Sequence, residues 1–273
     1  MSWIALRITP ATNREGVIAA LFESGSQAVQ EDAADVVTHF PPGARIDDIR
    51  NAVIDADPRA EIAITDAPDT DYSEGRASVG AHEVGELIIA PPWLAACFDA
   101  TKTIVVDPAM AFGTGEHPTT RGAMRLMQDV IRPGDAVADL GAGSAVLSIA
   151  AVRLGASRVA AVEIDHDAIG NAEENVRANC VGDRVEVIEG DAAIILPLLA
   201  PVRVVIANII VSVIIALLPV MHSSMAKGGR AILAGILVEE RDEMISALNS
   251  GGWAIQHEDT EDCWWSVDVA PVQ

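Results

Sequence analysis

Hydrophobic and polar positions change rhythm twice along this chain. Residues 2–8 (SWIALRI) alternate with the period of two expected of a half-buried strand, and 13–24 place Val17, Ile18 and Leu21 on one helical face. Two short strands are expected at about 26–30 and 35–40. A Pro41-Pro42-Gly43 break follows, then a helix over 47–55 and a last strand at 61–65. The order βαββαβ predicts a small ferredoxin-like α+β domain over 1–66. Residues 66–92 are acidic and mixed, with LIIA as the clear apolar run, so 67–100 is expected to be a linker carrying a helix or strand toward the second domain.

From about residue 103 long apolar strands alternate with helices. Strands are expected at 137–140, 158–164, 185–188, 202–207 and 231–236, and helices at 144–154, 167–180, 211–226 and 239–249. Strands apolar on both faces and separated by helices specify a parallel sheet covered on both sides. The tail differs: 253–259 and 264–270 are joined by a short acidic turn, too short for a crossover, and should pair antiparallel. The expectation for 101–273 is an α/β domain with a Rossmann-like sheet of seven strands. Residues 204–221 (VVIANIIVSVIIALLPVM) approach the length of a bilayer span, but Asn208, Ser212 and Pro219 interrupt them. They read as a buried strand ending at Asn208 and a buried helix, with no membrane association.

Composition narrows the classes. Half the 273 residues are hydrophobic, enough for a large core. With 18 basic against 40 acidic residues the formal charge is −22, which opposes binding to a phosphate backbone and either favours a basic protein or a cationic small molecule or serves only solubility or the host's salt environment. Cys97, Cys180 and Cys263 are far apart and lack metal or disulfide spacing, so they are expected to be buried small hydrophobes in a reducing cytosol. The start MSWIALRITP lacks the features of a signal peptide, and the expectation is a cytoplasmic protein.

Candidate chemistry lies where strands meet helices. Asp139-Leu-Gly141-Ala-Gly143 falls between a strand and a helix, where backbone can approach a ligand closely and free N–H groups are on offer. The third position of a dinucleotide fingerprint holds Val146 rather than Gly or Ala, which argues against a dehydrogenase. An acidic residue two before the first glycine, with Ala145 beyond it, matches the methionine-binding turn of S-adenosylmethionine enzymes instead. Glu163 closes the next strand at about the 20-residue offset from which a carboxylate reaches ribose hydroxyls, where it could accept two hydrogen bonds. Asp191, in EGDAA, is a further candidate near the adenine end. Asn208 ends the fourth strand inside an apolar run, so its amide either satisfies a structural bond or faces the reacting groups, and the second is expected. His117 has no metal-ligating companions and is expected to shape its loop.

Five segments carry a family resemblance: DPAMAFGTGEHPTT (107–120), DLGAGSAVLSIAA (139–151), VEIDHDAIGNAEENVRAN (162–179), VVIANII (204–210) and GGRAILAGILVEE (228–240). The chain resembles the methyltransferases that modify large-subunit ribosomal protein L11, strongly over about 100–270, and FGTGxHPTT is the specific part. The resemblance implies a Rossmann-like methyltransferase sheet, S-adenosyl-L-methionine as methyl donor, and transfer to amine nitrogens of L11, on lysine side chains and the N-terminal amine. It puts Thr120, Gly141, Glu163 and Asn208 on cofactor-contacting positions, with Gly143 in the same loop, and Asn208 as the catalytic candidate. It also implies that 1–66 recognises the ribosomal protein. The family more often has Cys and Gly where Ala142 and Ala145 stand, Asp where Glu163 stands, and Thr where Glu116 stands. Neither a metal nor a covalent nucleophile is required. Two rival readings keep the fold: a methyltransferase for another substrate, such as an electron-transfer flavoprotein lysine or a small molecule, and a non-catalytic S-adenosylmethionine-binding module.

Overall fold

The computed structural model describes residues 4–24, 26, 29–32, 35–40, 44–66, 80–106, 115 and 117–272. The chain divides into two compact units, Met1–Gly75 and Arg76–Gln273.

In the first unit the order βαββαβ is the one expected from the sequence. It comprises β1 (Ile4–Thr9), α1 (Arg14–Glu23), β2 (Val29–Asp32), β3 (Asp35–Phe40), α2 (Ile46–Ala56) and β4 (Glu61–Asp66). The strands lie in the order β2-β3-β1-β4, every neighbour antiparallel. Period-two alternation buries Leu6 and Ile8 and turns Arg7 outward to an ion pair with Asp35 at 2.6 Å. Val17 and Leu21 of α1 and Ile49 and Val53 of α2 complete that core. Asp57 closes the unit from within: its carboxylate accepts backbone N–H groups of Ala11, Thr12 and Asn13 at 2.7–3.0 Å, fixing the entry to α1.

The span read as a linker falls partly in the second unit. Residues 67–79 lie outside the described residues, but 80–100 are folded structure. Strands β5 (His82–Val84), β6 (Leu87–Ala90) and β7 (Thr103–Val105) form a three-stranded sheet, β5–β6 antiparallel and β6–β7 parallel. Val84, Leu87, Ile89 and Ile104 join the core of this unit. Three- and four-residue strands are too short to show a period, which is why only LIIA stood out.

The main sheet comprises β8 (Ala136–Leu140), β9 (Arg158–Glu163), β10 (Val185–Glu189), β11 (Val202–Asn208), β12 (Met225–Leu237), β13 (Trp253–Glu261) and β14 (Trp264–Pro271). Its order is β10-β9-β8-β11-β12-β14-β13; the first five strands run parallel and the last two close the sheet antiparallel, as the acidic turn required. The helices are α3 (Pro118–Val130), α4 (Val146–Arg153), α5 (His166–Ala178), α6 (Ala192–Leu199), α7 (Val211–Ser224) and α8 (Arg241–Ser250). One core cluster joins α3, α4 and α5 to the sheet, and a second joins α6, α7 and α8. Val204, Val205 and Ile206 of β11 are all fully buried because successive side chains enter opposite cores, and each fully buried side chain of this kind contributes about 1.5–3 kcal/mol.

Two details depart from the sequence reading. Helix α6 was not expected: its residues AAIILPLL are apolar throughout, and Ile194 and Leu198 are exposed, so no amphipathic period marks it. All three cysteines are exposed rather than buried, Cys180 at a left-handed φ of 53° and Cys97 in a short 3-10 turn, because each sits in a turn and not on a core-facing position. Among the described residues no helix is long and apolar enough to cross a membrane, and 204–221 divide into β11 and α7.

Candidate functional site

The strand order reverses between β8 and β11, and the crevice at the carboxyl ends beside that switch point is where open α/β sheets take ligands. β8 ends at Leu140 and the chain turns through Gly141 (φ 73°), Gly143 (φ 53°) and Ala145 (φ 61°) before α4. Positive φ at the two glycines lets the loop curl without a Cβ penalty. A Cβ on Gly141 would stand 2.4 Å from Ile209 Cγ2, so the loop also packs tightly under the segment after β11.

The loop is tied to β9. The N–H groups of Gly141 and Ala142 both donate to the Val162 carbonyl, at 2.8 and 3.1 Å. Glu163 is buried; its Oε2 accepts the Gly143 N–H at 2.8 Å and its Oε1 accepts those of Ile164 and Asp165, each at 2.9 Å. A carboxylate has about four acceptor sites, so three are spent on backbone and one is left for a ligand. Behind the loop Asp139 is buried and accepts the Ser148 hydroxyl at 2.6 Å. Burial pushes its carboxyl up to about 6, the Ser148 bond opposes this, and the charge of Glu163 adds to it.

Asn208 ends β11. Its side-chain N–H donates to the Thr120 hydroxyl at 3.5 Å, a long contact that brings together residues 88 apart in sequence. Thr120 is buried in the first turn of α3. That helix begins as its sequence dictates: Pro118 takes the first position, and His117 caps it, its Nδ1 accepting the Thr119 N–H at 3.4 Å while its ring meets Trp264 edge-on at 4.9 Å. His117 therefore shapes the loop. Ion pairs of Arg121 with Glu261, and of Arg125 with Asp259 and Glu261, bind α3 to β13. The hydrogen bond and charge of Asp259 raise the already high pKa of Arg125. Of the FGTGEHPTT segment, 112–114 and Glu116 lie outside the described residues; Gly115 (φ 83°) is buried against Ile89.

A cleft of about 440 Å³ runs along these elements, lined by Gly141, Gly143, Glu163, Asp191 and Asn208. Thr120 stands outside that lining and reaches the site through Asn208. Asp191 caps α6, accepting the Ala193 N–H at 2.8 Å. The apolar wall was not read from the sequence: Ile164, Ile210 and Val213 are 70%, 66% and 41% exposed and line the cleft with Ile209. An isoleucine directly after the acid that ends β9 was the available signal. Gly235 was missed too. At φ 84° its Cβ would stand 2.5 Å from the Ile209 carbonyl oxygen, so only glycine lets the backbone after Asn208 lie where it does.

Residues 7–271 match the family model described as ribosomal protein L11 methyltransferase. The chain is 39% identical over 166 residues to the ribosomal protein L11 methyltransferase of Exiguobacterium sp., covering 61% of this chain and 53% of that protein. It is 39% identical over 186 residues to that of Carboxydothermus hydrogenoformans, covering 63% and 60%. The matched stretch thus spans little more than half the length of these curated relatives. Among solved structures, a ribosomal protein L11 methylase from Lactobacillus delbrueckii subsp. bulgaricus superposes with a TM-score of 0.64 at 26% identity, over 71% of this chain and all of that one.

Proposed function

Because the chain belongs to the ribosomal protein L11 methyltransferase family, we propose that it transfers methyl groups from S-adenosyl-L-methionine to amine nitrogens of ribosomal protein L11. The lysine side chains and the N-terminal amine are the proposed acceptors, and the cytoplasm is the proposed location. The observation that carries the reading is the meeting of Asn208 with Thr120 at the mouth of the glycine-loop cleft, which joins two separate motifs at the sheet's switch point.

The residues present fit this cofactor. The left-handed turn at Gly141 and Gly143 lets the backbone approach the cofactor closely, and the amino end of α4 is the place for its carboxylate end. The one acceptor site left on Glu163 suits a ribose hydroxyl, and Ile164 and Val213 offer an apolar wall to its flat base. When bound, the cofactor supplies a methyl group on a sulfonium sulfur, open to attack by a neutral amine.

Asn208 then positions the acceptor. Its side-chain N–H group points to Thr120, which turns the amide oxygen toward the other side, where it can accept an N–H of the incoming amine and orient the nitrogen lone pair. A lysine ammonium, with pKa about 10.4 in solution, must first lose a proton. The apolar surroundings of Ile209 and Ile210 favour that loss, since desolvation disfavours the charged form, and the proton leaves to water. An amine fits better than a nucleobase on grounds of charge. The charge of −22 repels a phosphate backbone. The same charge draws in a basic ribosomal protein.

The Met1–Gly75 unit, with its own core, is proposed to recognise the protein substrate. A chain beginning at Arg76 should then bind cofactor but methylate L11 poorly. Calorimetry tests the cofactor site: wild type should bind S-adenosylhomocysteine, and Gly141→Val and Glu163→Ala should lose that binding while remaining folded. Unchanged affinity in both folded variants would sink the assignment.

A further inference from the structure

Asn171 and Asn175 of helix α5 and Asn179 at its carboxyl cap stand at four-residue spacing, so the three share one face, and all are buried at 8%, 4% and 4% exposure. Asparagine is a weak helix former, and a buried amide costs stability unless it is bonded. A leucine at these positions would favour the helix more, so what the amides hold gives them their value.

Asn175 donates one N–H to the Ser144 carbonyl at 3.0 Å, inside the glycine loop, and the other to Asn171 Oδ1 at 3.3 Å. Asn179 faces β7 and pairs with Val105 as a neighbouring strand would: its Oδ1 accepts the Val105 N–H at 2.8 Å and its Nδ2 donates to the Val105 carbonyl at 2.7 Å. The second N–H of that amide returns to the Asn175 backbone carbonyl at 2.8 Å. Arg153 of α4 braces the same place, donating to the carbonyls of Thr103 and Asn179, each at 3.0 Å. Beyond Val105 the chain enters the segment that ends in FGTGEHPTT. One helix thus grips the glycine loop with one amide and the strand ahead of the signature segment with the next. At the end of the row, Asn171 Nδ2 is buried with no partner among the described residues.

We propose that Asn175 and Asn179 are positioning residues that set the spacing between the glycine loop and β7, and so preorganise the loop's side of the cleft for its cofactor. The inference rests on the cofactor reading above. It separates affinity from stability: loosening the ladder changes where the glycine loop sits, whereas an equal loss of core packing elsewhere leaves the cleft intact.

The test uses the full chain and S-adenosylhomocysteine as probe. Asn175→Leu and Asn179→Leu should each weaken binding roughly tenfold or more, as small misplacements in a preorganised site do. The double variant should lose less than the product of the two, because both act on one spacing. Leu248→Ala, a core truncation in α8 at 1% exposure, should lower the melting temperature and leave affinity unchanged. Hydrogen exchange on wild type supplies a readout that does not depend on the variants folding: the probe should slow exchange of the Val105 N–H, whose acceptor is the Asn179 amide. Affinity within threefold of wild type in both folded single variants, or a Val105 exchange rate indifferent to bound probe, would overturn the proposal. A wild-type chain that binds no probe at all would instead overturn the cofactor reading, and this inference with it.

Discussion

Replacing Asp139 with asparagine should remove a pH dependence from the stability of the Arg76–Gln273 unit. The residue is 1% exposed, and burial raises its carboxyl from 3.8 to about 6, opposed by the Ser148 hydroxyl and assisted by the Glu163 charge. A carboxyl raised in this way holds its proton more tightly in the folded state. Its effect is therefore most favourable below the unfolded value, falls as pH rises between the two values, and levels off above about 6. At about 1.4 kcal/mol per pH unit the whole loss is about 3 kcal/mol, of which about 1 kcal/mol falls between pH 5 and pH 7. Asparagine keeps an acceptor for Ser148 and does not titrate, and any cost of its buried N–H group is the same at both pH values. Urea denaturation followed by tryptophan fluorescence reports mainly on this unit, because Trp93, Trp253, Trp264 and Trp265 all lie in it. The stability of Asp139→Asn relative to wild type should move in favour of the variant by about 1 kcal/mol from pH 5 to pH 7. Parallel profiles would refute the reasoning, since Asp139 would then not be taking up a proton in that range.

Asn208→Asp keeps an acceptor oxygen but adds a charge that favours the protonated, unreactive amine, so single-turnover methylation should recover toward alkaline pH more steeply than in wild type; an unchanged rate and pH profile would return Asn208 to a structural role. Gly235→Ala combines left-handed strain with a Cβ 2.5 Å from the Ile209 carbonyl, so it should cost about 2–4 kcal/mol in thermal unfolding and weaken S-adenosylhomocysteine binding, while Gly134→Ala, at φ 94° with open space around it, should leave binding unchanged. Asp57 is held below its usual 3.8 first by the Thr12 N–H and then by that of Asn13, so its stabilisation is present above that value and lost as pH falls through the lower folded one. Asp57→Asn should flatten the acid limb of the stability of the Met1–Gly75 unit, read by hydrogen exchange of its β1 amides, and an unchanged acid limb would contradict this.

The sequence was most legible where one physical signal dominates. The strands around Val137, Val159 and Val205 are apolar on both faces and needed no tertiary information, and the turn at Gly141 and Gly143 marked the cleft because few residues other than glycine curl that way. It was least legible where a role depends on contact. Glu163 read as a free ribose ligand, yet it also braces the glycine loop, which only the fold reveals. His82–Val84 and Thr103–Val105 carry no period of their own and become strands by pairing with β6. Asn175 and Asn179 carry no signal of their own in the sequence, because their role lies in their partners, Ser144 and Val105.

The central claim, methyl transfer to amines of ribosomal protein L11, is tested most directly by incubating the purified chain with S-adenosyl-L-methionine and L11 and reading intact and peptide masses. The account predicts whole-methyl increments on L11 that map to lysine side chains or the N-terminal amine, appear only with cofactor, and vanish or fall sharply with Asn208→Ala. An L11 mass unchanged by a chain that binds the cofactor would contradict it, as would methyl groups found on RNA in place of protein.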